Sequence, residues 1–380
     1  MNIAIVCYPT FGGSGVLATE LGIALADMGH QVHFVTYKQP VKLALLSHHV
    51  HFHEVAVPDY PLFRYQPYEL ALSSKLVNVV KAHNIELLHV HYAIPHAYAG
   101  YMAQQMLLEE GIKIPMVTTL HGTDITLVGN HPFYKPAVTF SINNSDAVTS
   151  VSESLKQDTL NHFTIKRPIE VIPNFIDLSK MGQQDGPCER NAMAEPHERI
   201  ITHVSNLRPL KRLTDVIEIF DQILEQCPAR LVIVGDGPDK DRAKALIEQK
   251  GIKSKVQFMG NSDEVHKILC LTDLFLLPSE IESFGLAALE AMACRVPVIS
   301  TNAGGLPEVN KHGFSGYLSD VGDVDAMAKN ALSILKDDKT LDQFKDQARA
   351  QAQSFAIELI VPQYEALYTR TIAQTTDAAY

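Results

Sequence analysis

The sequence predicts an α/β protein of two doubly wound, Rossmann-like domains with a cleft between them. Three observations carry this prediction. Short runs rich in Val and Ile alternate with longer stretches of helical period, the texture of buried parallel strands joined by crossover helices. The alternation stops in a polar stretch from Met181 to Glu198, which holds Gly182, Gly186, Pro187 and Pro196, and then restarts. Finally, 380 residues are enough for two separate cores at roughly 150 residues per domain.

In the first half the apolar runs place strands near residues 2–7, 31–36, 51–57, 85–91, 115–120, 146–151 and 169–172. The helical stretches between them include 16–28, 68–83, 96–110 and 152–162. Pro173-Asn174-Phe175-Ile176-Asp177 then leads into the polar stretch, which reads as a linker. Beyond it, Ile200–Val204, Leu231–Val234, Val256–Met259, Leu274–Leu277 and Val296–Ile299 read as a second set of parallel strands. The expected domains are 1–177 and 178–354. A final helix, 355–375, has no strand to return to and can pack back on the first domain.

Composition removes several functional classes. A hydrophobic content of 46% with 20% charged residues belongs to an ordinary folded chain. The net charge of −11 opposes polyanions, so nucleic acid is not an expected partner. An anionic small substrate is still allowed, because screening over roughly 8 Å lets a local basic cluster dominate its own site. Five cysteines, Cys7, Cys188, Cys227, Cys270 and Cys294, are odd in number and lack a C-x-x-C pair, which argues against a disulfide framework and a zinc ribbon. No basic segment precedes a long apolar run, so neither export nor stable membrane association is expected and a reducing cytoplasm fits. A homodimer is allowed.

The first strand runs into Tyr8-Pro9-Thr10-Phe11-Gly12-Gly13-Ser14-Gly15-Val16, a glycine turn that opens a helix. Such a turn can hold an anion on its amides, or it can be purely steric. It lacks the G-x-G-x-x-G spacing of a dinucleotide site and the Gly-Lys-Ser/Thr of a P-loop. Of the 17 histidines, 12 precede residue 132. His89-Val90-His91 followed by His96 could ligate zinc or iron if a carboxylate joined them; packed imidazoles and cleft-lining donors fit the same pattern. His121-Gly122-Thr123-Asp124 follows the run Pro115 to Leu120 and so sits at a strand's carboxyl end, where open α/β sheets bind ligands. Arg64 is a possible countercharge nearby.

In the second half, Ser205-Asn206-Leu207-Arg208-Pro209-Leu210-Lys211-Arg212 puts three cations between a strand and a helix, a placement that suits a diphosphate. Gly235-Asp236-Gly237-Pro238 reads as a structural turn. Glu280-Ile281-Glu282-Ser283-Phe284-Gly285-Leu286-Ala287-Ala288-Leu289-Glu290-Ala291 follows a buried strand. A helix starting near Ser283 would put Glu282 before its amino end and Glu290 on its second turn. Two such carboxylates can bind sugar or ribose hydroxyls, and the free amides a phosphate.

With Ala303-Gly304-Gly305-Leu306-Pro307-Glu308, these segments make the chain resemble the retaining, GT-B-fold glycosyltransferases of family four over nearly its whole length. Leu88–Ala97, Leu120–Thr126 and Ser205–Arg212 are similar to a subgroup that opens bacillithiol biosynthesis. The resemblance implies UDP-N-acetylglucosamine as donor, L-malate as acceptor, retention of the α configuration, and neither metal nor cofactor. It implies catalytic roles for His121, Arg208, Lys211 and Glu282. Donor binding would fall to Gly13, Ser205, Arg208, Lys211, Asn261, Ser283, Phe284, Gly285 and Glu290, in the domain 178–354 except for Gly13. Acceptor binding would fall to Ser14, Tyr92, Thr119 and His121 in the domain 1–177. Where the family usually has Gly-Arg this chain has Ser205-Asn206, so the diphosphate arginine is assigned to Arg208. Alternatives are a family-four transferase acting on a lipid-linked or polysaccharide acceptor, a UDP-N-acetylglucosamine 2-epimerase of the same architecture, and a non-catalytic UDP-sugar sensor.

Overall fold

The computed structural model describes residues 1–10, 13–41, 43, 48–59, 61, 64–181, 190–262 and 264–377. Gly12, Cys188 and the Gly182, Gly186 and Pro187 of the polar stretch lie outside them. The chain forms two compact units, Met1–Asn174 with Glu358–Tyr380, and Phe175–Ile357.

In the first unit the order is β1 (Asn2–Val6), α1 (Gly13–Asp27), β2 (Gln31–Thr36), β3 (Val50–Glu54), α2 (Tyr68–His83), β4 (Leu87–His91), α3 (Tyr98–Glu109), β5 (Met116–Leu120), α4 (Lys135–Asn143), β6 (Ala147–Ser150), α5 (Glu153–His162) and β7 (Ile169–Val171). The strands form a parallel sheet in the order β3-β2-β1-β4-β5-β6-β7. Because helices cover both faces, β1, β4 and β5 are buried on both sides; β1 is apolar from Ile3 to Val6, whereas β4 and β5 also bury His89, His91, Thr118 and Thr119. On one face Ala4, Val6, Val35, Leu88 and Val90 pack with Leu72, Leu76, Val79 and Val80 of α2 and Ala99 and Ala103 of α3.

The second unit contains α6 (Arg190–Met193), β8 (Arg199–Val204), α7 (Leu213–Leu224), β9 (Ala229–Val234), α8 (Lys240–Gln249), β10 (Val256–Gly260), α9 (Val265–Leu271), β11 (Leu274–Leu277), α10 (Leu286–Ala293), β12 (Val298–Thr301), α11 (Leu306–Val309), β13 (Gly316–Ser319), α12 (Val324–Leu335) and α13 (Asp338–Gln353). Its sheet is again parallel, in the order β10-β9-β8-β11-β12-β13. α7 lays Val216, Ile217, Phe220 and Ile223 onto Ile201, Leu231 and Ile233. From Glu358 onward the last helix, α14 (Ile357–Asp377), belongs to the first unit, where the Tyr368 hydroxyl bonds His89 Nδ1 at 2.7 Å. No helix among the described residues is long and apolar enough to cross a membrane.

The described part of the polar stretch is packed rather than a loose linker. Arg190 in α6 pairs with Asp273 at 2.6 Å. Glu198 is buried between Arg230 at 2.8 Å and Lys255 at 2.6 Å. Charged residues with no apolar period read as solvated, yet here they close the unit through long-range ion pairs.

Candidate functional site

In each sheet the winding direction reverses between the first strand and the fourth, β1 and β4 in one unit and β8 and β11 in the other. Loops leaving those strands at their carboxyl ends diverge and open a crevice, the usual ligand position in such sheets. The residues singled out in the sequence gather at these two points.

In the second unit, β8 exits through Ser205 to Leu207 into a 3-10 turn, Pro209–Lys211. Leu207 is fully buried at φ +44°, which leaves Asn206 and Arg208 exposed on either side. The Arg208 guanidinium has no hydrogen-bond or ion-pair partner among the described residues. Lys211 Nζ donates to Glu282 Oε2 at 2.6 Å, with both side chains largely sheltered. The amide of Glu280 donates to the carbonyl of Leu210 at 2.8 Å, stitching the β8 and β11 exits together.

Glu282 is held from below by the Ala303-Gly304-Gly305 turn. Gly304 has φ +56°, and a Cβ there would lie 1.9 Å from the Glu282 carbonyl oxygen. The Gly305 amide donates to that same oxygen at 2.9 Å. Only glycine fits this approach. Phe284 is buried edge-on against Phe355, and Gly285, at φ +100°, forms the N-cap of α10. The helix therefore starts at Leu286 rather than near Ser283. Gly285 offers no side chain to cap it, and amides at a helix start suit an anion. Glu290 lies half-buried on its second turn.

Three further residues named in the sequence lie as follows. Arg212 is not free for a diphosphate, because it pairs with Asp215 of α7 at 2.6 Å. The Ser205 hydroxyl is occupied, accepting from the Leu207 amide at 3.1 Å and bonding His203 Nε2 at 2.8 Å, so it shapes the loop. Asn261 is exposed after β10, two strands away from β8, and no contact ties it to Lys211 or Glu282. The Gly235–Pro238 turn packs against the same loop, with the Asp239 amide donating to the Leu207 carbonyl at 3.0 Å. His203, which the sequence reading passed over, is fully buried; its Nδ1 bonds the Leu276 carbonyl at 2.9 Å, joining β8 to β11. Burial holds its pKa down to about 4, so the ring is neutral.

In the first unit, α1 starts at Gly13 and presents Ser14, whose Oγ lies 2.5 Å from Tyr92 Oη. That bond spans the exits of β1 and β4. Tyr92 has φ +82° and ψ +137°, a strained geometry for a residue with a side chain. Its amide donates to the Thr119 carbonyl at 2.9 Å, and its ring lies 5.0 Å from that of His121. His121 Nε2 bonds His91 Nδ1 at 2.8 Å. Burial lowers the His121 pKa to about 3 and that of His91 well below the usual range; both are neutral imidazoles, one donating and one accepting.

Asp124, at the end of the His121-Gly122-Thr123-Asp124 segment, is buried and accepts from the amides of Ala93 at 2.9 Å, Gly122 at 3.0 Å and His121 at 3.2 Å. It clips the β5 exit to the β4 exit. Burial raises its pKa against the pull of those bonds. His91 Nε2, His96 Nε2 and the Tyr68 hydroxyl are buried without a partner among the described residues, so polar capacity is left unsatisfied here.

Thr119 is fully buried, with its hydroxyl 2.8 Å from His89 Nε2 and 2.7 Å from Thr149. Both His89 nitrogens are occupied, by Thr119 and Tyr368. His96 Nδ1 bonds the His91 carbonyl at 2.6 Å. The metal reading of His89, His91 and His96 accordingly falls away. Arg64 is exposed and lies over the Tyr65 ring.

Comparison with known proteins identifies the family and the fold. The family model for Glycosyltransferase Family 4 matches residues 11–180, and that for Glycosyl transferases group 1 matches residues 189–351. The N-acetyl-alpha-D-glucosaminyl L-malate synthase of Bacillus anthracis is 44% identical over 370 residues, covering 97% of this chain and 96% of that one. A phosphatidylinositol N-acetylglucosaminyltransferase subunit of Saccharomyces cerevisiae is 25% identical over 358 residues, covering 90% of this chain and 77% of its own. Among solved structures, HepE of Anabaena in complex with UDP and glucose superposes with a TM-score of 0.81 at 21% identity, covering 97% of this chain and 99% of that one. The sucrose-phosphate synthase of Thermosynechococcus elongatus gives 0.79 at 21% identity, covering 98% and 100%. With its two doubly wound units and near-full-length likeness to a curated transferase, the chain belongs to glycosyltransferase family four and has the GT-B fold.

Proposed function

We propose that this glycosyltransferase moves N-acetylglucosamine from UDP-N-acetylglucosamine to the hydroxyl of L-malate, giving an α-linked product. The observation that carries the reading is the 44% identity to the Bacillus anthracis enzyme across 97% of the chain. The geometry supports it. Arg208 and Lys211 flank the β8 exit and the start of α10 lies after β11, a set suited to a diphosphate. As UDP departs, its growing negative charge is stabilised by these cations and amides, which are already in position. No metal is required for that step. Glu290 binds the ribose. The Lys211–Glu282 pair opens on binding, freeing Lys211 for phosphate and Glu282 for sugar hydroxyls. The acceptor hydroxyl attacks on the face that UDP leaves, with the leaving phosphate taking its proton.

The acceptor belongs to the first unit. Amides at the start of α1 face an anion favourably, and Ser14, Tyr92 and the neutral His121 add hydrogen bonds. His121 also contacts the sugar near the reacting carbon. The odd number and wide spacing of the cysteines support a reducing cytoplasm as its setting. The test is to incubate the purified protein with UDP-N-acetylglucosamine and a panel of hydroxy acids, measuring UDP release and product mass. Turnover with L-malate and a product heavier by one N-acetylglucosaminyl group are expected. Turnover only with a lipid-linked or polysaccharide acceptor, or none with any acceptor, would overturn the reading.

A further inference from the structure

We propose that His33, His53 and His83 form a binding site for one divalent transition-metal ion of the imidazole-preferring kind, such as zinc, separate from the transferase site. β2 and β3 pair in parallel with His33 opposite His51 and Val35 opposite His53. Strand alternation then puts His33, His51 and His53 on one face, the face on which Val35 packs against α2. The last residue of α2 is His83. One ring nitrogen from each of His33, His53 and His83 falls within 4.8 Å of the others, and His33 Nδ1 lies 2.9 Å from His53 Nε2. The ring centroids of His33 and His53 lie 4.7 and 4.8 Å from that of His83. A zinc ion bound at about 2.0–2.1 Å by three imidazoles holds their nitrogens roughly 3.3 Å apart, so small rotamer changes close the site.

The surroundings suit an ion. His33 is buried, His53 half-buried and His83 exposed, which gives the site a fixed base, an entry and room for water in a fourth position, the open three-histidine arrangement of zinc. His51 stacks on His33 with centroids 4.5 Å apart, and its Nε2 donates to Gln31 Oε1 at 3.0 Å. It therefore orients the ligand ring instead of binding. No carboxylate or thiol joins the cluster among the described residues, and Lys75 is a nearby cation, so affinity rests on imidazole and excludes calcium and magnesium. An ion here ties two strands at the sheet edge to the end of α2, and should stabilise the folded chain by mass action.

The full-length protein, stripped with chelator and dialysed, is titrated with zinc chloride by calorimetry and with cobalt(II) by visible absorption. One saturable equivalent per chain and a higher Tm with zinc are expected. His83→Ala, an exposed replacement that leaves the core intact, and His53→Gln should each weaken zinc by roughly a hundredfold or more, the upper end of what losing even an outer partner of a ligand costs. His197→Ala, exposed in the second unit, should keep the wild-type affinity. Absence of a saturable equivalent, or an equivalent that survives both His83→Ala and His53→Gln, would overturn the proposal.

Discussion

Replacing Lys211 with alanine should separate two consequences of one ion pair. Lys211 and Glu282 meet at 2.6 Å with side chains 16% and 17% exposed, so truncation leaves a sheltered carboxylate without its counter-charge. Breaking a fully buried pair costs roughly 3–5 kcal/mol and losing an exposed one roughly 0–1 kcal/mol. This pair lies between, at about 2 kcal/mol, which in a unit of about 180 residues lowers Tm by about 4–8 °C. Turnover falls for another reason, the loss of a cation facing the departing phosphate, which costs on the order of 10²–10³ in kcat. The double variant Lys211→Ala/Glu282→Gln tells the two apart: without an orphaned charge it should recover most of the lost Tm and none of the lost kcat. Thermal unfolding and UDP release on the same preparations read both quantities. A Lys211→Ala enzyme whose kcat stays within about threefold of wild type, or a double variant that regains turnover together with stability, would refute the phosphate role.

Glu290→Ala should weaken UDP binding with a smaller effect on kcat, because ribose hydrogen bonds are made in ground and transition states alike; unchanged UDP affinity in calorimetry would count against it. Tyr92→Phe should raise KM for malate by roughly ten to a hundredfold, since a hydrogen bond to a charged group contributes about 1.5–3 kcal/mol, and equal KM values would make Tyr92 a packed ring. Turnover should survive EDTA, and activity lost to chelator but restored by magnesium or manganese would contradict the cation-based mechanism. His89, His96 and His203 are held neutral by burial, with pKa values of about 3, 4 and 4. The stability they contribute is complete above the unfolded histidine pKa and is lost as pH falls from about 6.5 towards 4, by up to about 1.4 kcal/mol per pH unit for each. A urea midpoint that stays flat between pH 7 and 5 would contradict this.

The fold was legible wherever local pattern and global environment agree. Strands such as Asn2–Val6 and Leu274–Leu277 lie under helices on both faces, so they show as apolar runs. Agreement fails at the edges. The Val296–Ile299 run becomes a strand only from Val298, because Pro297 has no N–H to give the ladder. The strand Gly316–Ser319 went unread, being four residues at the sheet edge with Gly and Ser at its ends. Helix Lys135–Asn143, with Pro136 in its first turn and few buried residues, also carries little periodic signal. The described end of the polar stretch, 190–198, gives no local sign of its packing because its partners, Arg230, Lys255 and Asp273, come 32 to 83 residues later.

The same division runs through the candidate site. A motif's position after an apolar run says which strand end it occupies, and on that basis the segments holding His121, Lys211 and Glu282 are legible as strand-end segments, whereas Tyr92 enters only through the family resemblance. What faces each of them depends on sheet order, which no local spacing encodes. Once β1 and β4 are neighbours with opposite winding, Ser14 meets Tyr92; once β8 and β11 are, Lys211 meets Glu282. Thr119 shows the converse. Its neighbours in sequence suggest a strand end open to a ligand, whereas its side chain is claimed by His89, which Tyr368 covers from a helix more than 200 residues away. The bracing bonds of Asp124 and His203 escape a local reading for a related reason: each acts between adjacent strand exits, and its value becomes visible only when the strands are side by side. In a doubly wound unit, therefore, the strand end a segment occupies is recognisable from local pattern, while the contacts that hold its side chains in place follow from topology.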